Sequence, residues 1–302
     1  MALLQAIFNV IVPVVIVAAV GAILGRNFDL SGGTISKISL YALTPALALE
    51  TLLTTEVSAG DAFQAIGSFT LVTFLGVLLG AVCAIGLPPA QRRAVMVTTS
   101  TANSGNMGLP IALFALGQAG FEQSVLLFIT STVLTFIVVP PIFGSAGVRS
   151  ALMSMARMPA LWAMVVGVGM RLLGWSLPTG VMSGVSLLGQ ATLPMVLLAL
   201  GIQLGTTGRP RLNRAVWTGS VLRVLVMPAL ALGLGLLLGI RGIPLQTLVL
   251  TSSMPVAVNA YLLSMEYKGD VKTVADTVTV TTVTSFLTIS LVAWVLPWIG
   301  GL

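Results

Sequence analysis

A helix that crosses about 30 Å of hydrocarbon needs about 20 predominantly apolar residues, and this 302-residue chain is built of little else. Ten such runs follow one another, roughly Gln5–Gly25, Thr34–Thr54, Ala62–Leu87, Ala94–Gly117, Phe121–Ser145, Ala160–Trp175, Ser183–Thr206, Ala215–Ile240, Leu245–Met265 and Thr273–Trp298. The sixth is the weakest of them. Only 7% of the residues are charged, where soluble domains carry about 25%. Lipid offers backbone N–H and C=O groups no partner, so runs of this length are expected to be helices. The expected class is an all-α integral membrane protein. The longest stretch without a membrane segment, residues 146–159, is too short for a soluble domain. Residues 1–26 have neither a basic start nor a small-residue cleavage site, and read as the first membrane helix.

Composition also removes whole classes of function. The chain has no histidine, which excludes histidine metal sites, histidine proton switches and the intramembrane proteases that need one. Paired-aspartate motifs are missing as well, so no enzyme, metal or cofactor is expected. Cys83 is alone and cannot form an intrachain disulfide. The net charge of +6 lies in short clusters between apolar runs, a pattern that sets membrane topology rather than one that binds nucleic acid. With the N-terminus outside, the inner connections and helix ends gather 11 of the 14 basic residues. These are Arg26, Lys37, Arg92, Arg93, Arg149, Arg157, Arg209, Arg211, Arg214, Lys268 and Lys272. Exterior connections hold Glu56, Asp61, Glu122 and Arg241, with Arg171 near an exterior helix end. Both termini are therefore expected on the outer, periplasmic side of a cell (inner) membrane.

Two of the ten runs are interrupted. The fourth carries Asn103, Ser104, Gly105, Asn106, Gly108 and Pro110 in its middle; the ninth carries Ser252, Ser253, Pro255 and Asn259. Proline has no N–H to give and its ring displaces the carbonyl four residues back, while glycine loosens the turns before it. A break there leaves backbone groups that must face protein or a wet cavity. If the two segments cross at their breaks, two helix N-termini face one pocket, and their unpaired donors attract an anion. Asn103, Ser104, Asn106, Ser252, Ser253 and Asn259 would add neutral donors, with Gly105, Gly108, Pro110 and Pro255 making the breaks. An isolated proline is often only a kink, and Asn259 could serve as a helix–helix hydrogen bond.

The interruptions recur. Leu109-Pro110-Ile111-Ala112-Leu113 matches Met254-Pro255-Val256-Ala257-Val258 in residue type, 145 residues on; Pro45 in segment two has a partner in Pro194 in segment seven; and TVLTFIV in segment five runs like TSFLTIS in segment ten. Five segments per half is an odd number, so the second half would enter the membrane inverted. The expected organisation is a first repeat in 1–145, a linker in 146–159 and a second repeat in 160–302. Inverted repeats with matched interrupted segments point to a secondary transporter, with its site where the interruptions meet. A channel is the alternative, since crossed half-helices can also line a pore.

Four ionisable residues fall within or near the hydrocarbon: Glu50, Arg171, Arg223 and Asp276. Glu50 and Arg171 can snorkel to the exterior, and Asp276 suits the start of the last helix. Arg223 is the deepest. Without histidine, proton coupling would fall to a carboxylate, Glu50 or Asp276; the sequence leaves proton and sodium both open as coupling ions. Gly76/Gly80, Gly201/Gly205 and Gly235/Gly239 are spaced for close helix packing. A homodimer is compatible with the sequence, which does not fix the oligomeric state.

Asn103-Ser104-Gly105-Asn106-Met107-Gly108-Leu109-Pro110 resembles the fourth-helix crossover of the auxin efflux carrier family, in its bacterial form, and Pro255 through Glu266-Tyr267 resembles that family's ninth-helix crossover. The resemblance implies an inverted 5+5 fold shared with bile-acid sodium symporters. It implies a scaffold of segments one, two, six and seven, with segments three to five and eight to ten moving against it as an elevator. It also implies organic-anion substrates, auxin in plants and malate- or malonate-like dicarboxylates in bacteria, with Asn103 as the substrate contact. The short 146–159 connection and Ala260, where plant members have a second proline, depart from the plant pattern and fit a bacterial carrier better.

Overall fold

The computed structural model describes residues 3–30, 32–55, 57–144, 158–206 and 208–301, and every regular element among them is a helix. Glu56, Arg149, Arg157 and all of the 146–159 connection except Met158 and Pro159 lie outside the described residues. The helices are α1 (residues 3–27), α2 (32–54), α3 (Ala59–Cys83), α4 (Pro89–Ser100), α5 (104–116), α6 (118–143), α7 (Pro159–Leu172), α8 (Thr179–Thr206), α9 (Arg214–Leu237), α10 (Gly242–Ser252), α11 (Val258–Glu266) and α12 (Val271–Ile299). Between α5 and α6 only Gly117 leaves helical geometry, at φ 67° and ψ −162°, a conformation open to a residue without Cβ.

Six spans are long and apolar enough to cross a membrane on their own: Ile7–Asn27, Gly60–Cys83, Ser104–Phe143, Thr179–Gly205, Arg214–Leu237 and Val271–Ile299. The other expected segments fall on α2, on the shorter apolar helix α7, and on the short helices α4, α10 and α11. The molecule is apolar outside and buries many hydroxyls among its apolar core. Leu237, Leu172 and Phe63 are 86%, 81% and 78% exposed, while Thr98, Thr99, Ser252, Ser253, Thr277, Thr281 and Ser285 are buried. Such a surface is stable in lipid and unstable in water. This is an integral membrane protein.

Proline writes the helix irregularities. Among the described residues four π turns occur, at Ile7–Ile11, Ser39–Leu43, Ser104–Gly108 and Leu222–Val226. Two residues beyond each stands a proline: Pro13, Pro45, Pro110 and Pro228. The residue four before each proline is the middle of the π turn, and its carbonyl is the one deprived of an α-helical donor and pushed outward by the ring. Widening the turn by one residue accommodates both effects. Pro194 lies within α8 without such a turn, so the paired prolines of segments two and seven do different things locally.

Packing follows the small residues. A Cβ on Gly201 or Gly205 of α8 would run into the carbonyl oxygen of Ala18 or Ala22 on α1, and one on Gly21 into that of Leu198. The register rises on both helices together, so α1 and α8 are parallel and in backbone contact. Gly80 likewise brings α3 to within reach of α4, its Cβ position 2.8 Å from the Met96 Cα. Gly239 departs from the packing expectation: it meets nothing and takes φ 72° just past the end of α9, the left-handed ending that glycine allows. α2 lies along α7, with Leu49 and Leu52 around Gly167, and also along α8, where Glu50 abuts Gly189. α3 to α6 and α9 to α12 pack mainly among themselves.

Gly201→Leu should lower stability by at least about 1–3 kcal/mol, the range for overpacking. Gly184→Leu, at a site open on all sides, should leave it within about 0.5 kcal/mol. The melting temperatures of the two variants in detergent check the contrast.

Candidate functional site

α4 ends at Ser100 and the chain runs extended through Thr101 (φ −101°, ψ 108°) before re-entering a helix at Ser104. α10 ends at Ser252 and the chain re-enters a helix at Val258, after Ala257 (φ −68°, ψ 140°). The two unwound stretches lie antiparallel, bridged at Ala102 and Val256. Asn103 N donates to the Pro255 carbonyl at 2.8 Å, and Ala257 N donates to the Thr101 carbonyl at 3.2 Å. Val256 N donates to Thr281 Oγ1 on α12 at 3.1 Å. Each interruption thus supplies the partners that the other has lost, which apolar surroundings could not do.

The prolines divide the work unequally. Pro255 stands in the unwound stretch itself and offers its carbonyl; Pro110 lies inside α5, past its π turn. The matched pentapeptides therefore sit on different backbone, helical at 109–113 and unwound at 254–257.

On one side of the pairing, the first turns of α5 and α11 face a cavity of about 50 Å³, room for a few waters or a carboxylate-sized group. Asn103, Ser104, Gly105, Asn106, Ala257, Val258 and Asn259 line it, with Phe128, Ser131, Thr132 and Thr135 from α6 opposite. Asn103 is 5% exposed. Its Oδ1 accepts from Asn106 N at 3.2 Å, which orients the amide, while its Nδ2 has no hydrogen-bond partner among the described residues. A buried donor without a partner is costly unless something polar arrives to accept from it. Gly105 is required by closeness: a Cβ there would overlap the Phe128 ring. The arrangement is two half-helix N-termini and an amide donor around a small polar space, which favours an anionic oxygen.

On the other side lie the C-terminal ends of α4 and α10. There Arg223, 2% exposed on α9, donates from Nη1 to the Thr99 carbonyl at 2.8 Å, from Nε to the Met254 carbonyl at 3.0 Å, and from Nη2 to the Ser252 carbonyl.

Of the expected site residues, Asn103, Ser104, Asn106 and Asn259 meet at the cavity with Gly105. Ser252 and Ser253 do not line it: Ser253 Oγ donates back to the Leu250 carbonyl at 2.7 Å, and Ser252 lies on the arginine side. Gly108 and Pro110 are buried behind it in α5. Neither Glu50 nor Asp276 reaches the cavity. The helix-starting carboxylate of α12 is Asp270, which accepts from Thr273 N at 3.1 Å; Asp276 comes a turn and a half later, its Oδ2 buried without a partner among the described residues. Arg171 caps the end of α2, donating to the carbonyls of Leu52, Thr55 and Val57. Sequence reasoning missed the α6 wall, although Ser131 and Thr132 each stand one helical turn before Thr135, and it missed Thr281.

An apolar-surfaced helical molecule with a polar cavity between interrupted helices is of the transporter class. The chain belongs to the membrane transport protein family, the auxin efflux carrier family that its two motifs resemble, whose model matches residues 143–293. This is a family of transporters, not of enzymes. An uncharacterized transporter of Methanothermobacter thermautotrophicus is 27% identical over 278 residues, 89% of this chain and 90% of its own length. An uncharacterized transporter of Methanocaldococcus jannaschii is 29% identical over 213 residues, 67% of this chain and 68% of its own. A Rhizobium meliloti protein with the provisional name malonate transporter is 25% identical over 274 residues, 85% of each chain.

Thr281→Val keeps the shape of the side chain but strands the buried Val256 N–H, so it should destabilise the protein by about 1–3 kcal/mol. Thr281→Ser should stay near wild type. Thermal unfolding of both decides whether this hydroxyl holds the second interruption.

Proposed function

We propose that the chain is a secondary carrier of small organic anions, carboxylates above all, working by alternating access with its site at the paired interruptions. The observation that carries this reading is the cavity. Two half-helix N-termini and the unpartnered Asn103 amide face it, while the nearby full positive charge, on Arg223, is spent on carbonyls on the far side. Dipoles and amides hold an anion more loosely than an ion pair would, and loose binding suits release on either side. The name of the Rhizobium relative makes a three-carbon dicarboxylate the first substrate to try.

Ten crossings in two inverted halves, with both termini outside a cell membrane, fit the packing directions. Segments one and seven would both run inward, as the parallel pair α1/α8 does, and two and six both outward, as fits α2/α7, where Gly167 faces Leu49 and Leu52 and Arg171 reaches on to Thr55 and Val57. Segments four and nine would run oppositely, as the antiparallel bridge does. The thinner packing between α1, α2, α7, α8 and the remaining helices supports a scaffold against which the cavity-bearing half moves, as in an elevator.

Asn103→Ala should reduce malonate counterflow in proteoliposomes at least tenfold, with the melting temperature near wild type. Undiminished exchange by the folded variant would refute the site assignment. Current without saturable exchange would point instead to a pore.

A further inference from the structure

Arg223 lies on the side of the pairing away from the cavity. It stands in the π turn Leu222–Val226 of α9, and its guanidinium lies across the C-terminal ends of both interrupted helices at once. Thr99 is the second-last residue of α4, Ser252 the last of α10, and Met254 belongs to the unwound stretch beyond. Helix C-termini carry partial negative charge and carbonyls without donors. In carriers with broken helices, such ends and unwound carbonyls are where a coupling alkali cation binds. Two further oxygens sit on the same residues, since Thr99 Oγ1 and Ser252 Oγ are buried without hydrogen-bond partners among the described residues. Three carbonyls converge on the guanidinium and two of the same residues carry unpartnered hydroxyls, and oxygens of these kinds are what hard cations use.

We propose that Arg223 is a built-in replacement for a coupling cation. Its guanidinium, which stays protonated in proteins, fills a site that would otherwise take sodium, and it never dissociates. The antiparallel pairing is thereby locked without an added ion, and transport does not draw on a sodium gradient through this site. The charge is tolerated at depth because three charge-assisted hydrogen bonds and two helix ends compensate it. A merely structural arginine would hold the same carbonyls, so the discriminating property is whether the emptied place binds a cation. The consequence for coupling rests on the carrier reading; the cation site itself does not.

The test is thermal unfolding of the purified full chain in sodium, potassium or choline chloride, for wild type, Arg223→Ala and Arg223→Lys. Wild type and Arg223→Lys should show no saturable sodium effect. Arg223→Ala should melt lower and recover by about 2 °C or more, saturably, with sodium or with low-millimolar guanidinium but not with choline. An Arg223→Ala protein that folds and ignores both ions would overturn the proposal, leaving a simple structural clamp. Should Arg223→Ala not fold, Arg223→Gln, which keeps part of the bulk but no charge, takes the same test with the same two outcomes; in either case a saturable sodium-dependent rise in the wild-type melting temperature, or wild-type counterflow lost in sodium-free buffer, contradicts the proposal. An Asn103→Ala protein with normal counterflow would overturn the anion site and leave the Arg223 result standing.

Discussion

Two backbone hydrogen bonds between unwound stretches, Asn103 N to the Pro255 carbonyl and Ala257 N to the Thr101 carbonyl, are what the rest of the molecule depends on. A helix interrupted within an apolar body leaves peptide groups that lipid cannot satisfy. Here each interruption satisfies the other, with Thr281 completing the set for Val256. Because the stretches meet antiparallel, the broken helices present like ends on like sides: both N-termini toward the polar cavity, both C-termini toward Arg223. Attraction for an anion and attraction for a cation are thus separated by the width of one strand pair.

Around this pairing, glycine and proline control distance and curvature. Gly201, Gly205 and Gly21 let α1 and α8 touch backbone to backbone, and Gly105 lets the Phe128 ring close the cavity. Four prolines each follow a π turn, whose extra residue accommodates the ring within the helix. One of these turns, Ser104–Gly108, forms the cavity wall; another, Leu222–Val226, carries Arg223. Two of the four irregular turns therefore lie where polar groups are needed, and the outward faces of the helices carry leucine and phenylalanine.

The helices themselves were legible in the sequence as long apolar runs: each expected segment overlaps a helix or a pair of half-helices, and six spans are long and apolar enough to cross a membrane on their own. The interruptions were legible too, since Asn103, Gly105, Pro110 and Pro255 are residues that an apolar helix does not otherwise tolerate in a cluster. Their detail was not. Local chemistry does not say whether a proline ends a helix or widens one turn of it, so Pro110 and Pro255 look alike and act differently. Nor does it say on which side of a break a serine points, which is why Ser252 and Ser253 lie away from the cavity. The α6 wall and the Arg223 contacts depend on packing between elements far apart in the chain, with Arg223 and Thr99 separated by 124 positions; nothing in either segment alone announces them.

The central claim is that the cavity is made for an anionic oxygen. Calorimetric titration of the purified protein with malonate and with its neutral diamide tests this most directly, since the two ligands have nearly the same shape and differ in charge. Saturable binding of the dianion with none of the diamide is the predicted result. Equal binding of the diamide would show that the half-helix N-termini and Asn103 do not select for charge, and would contradict the account.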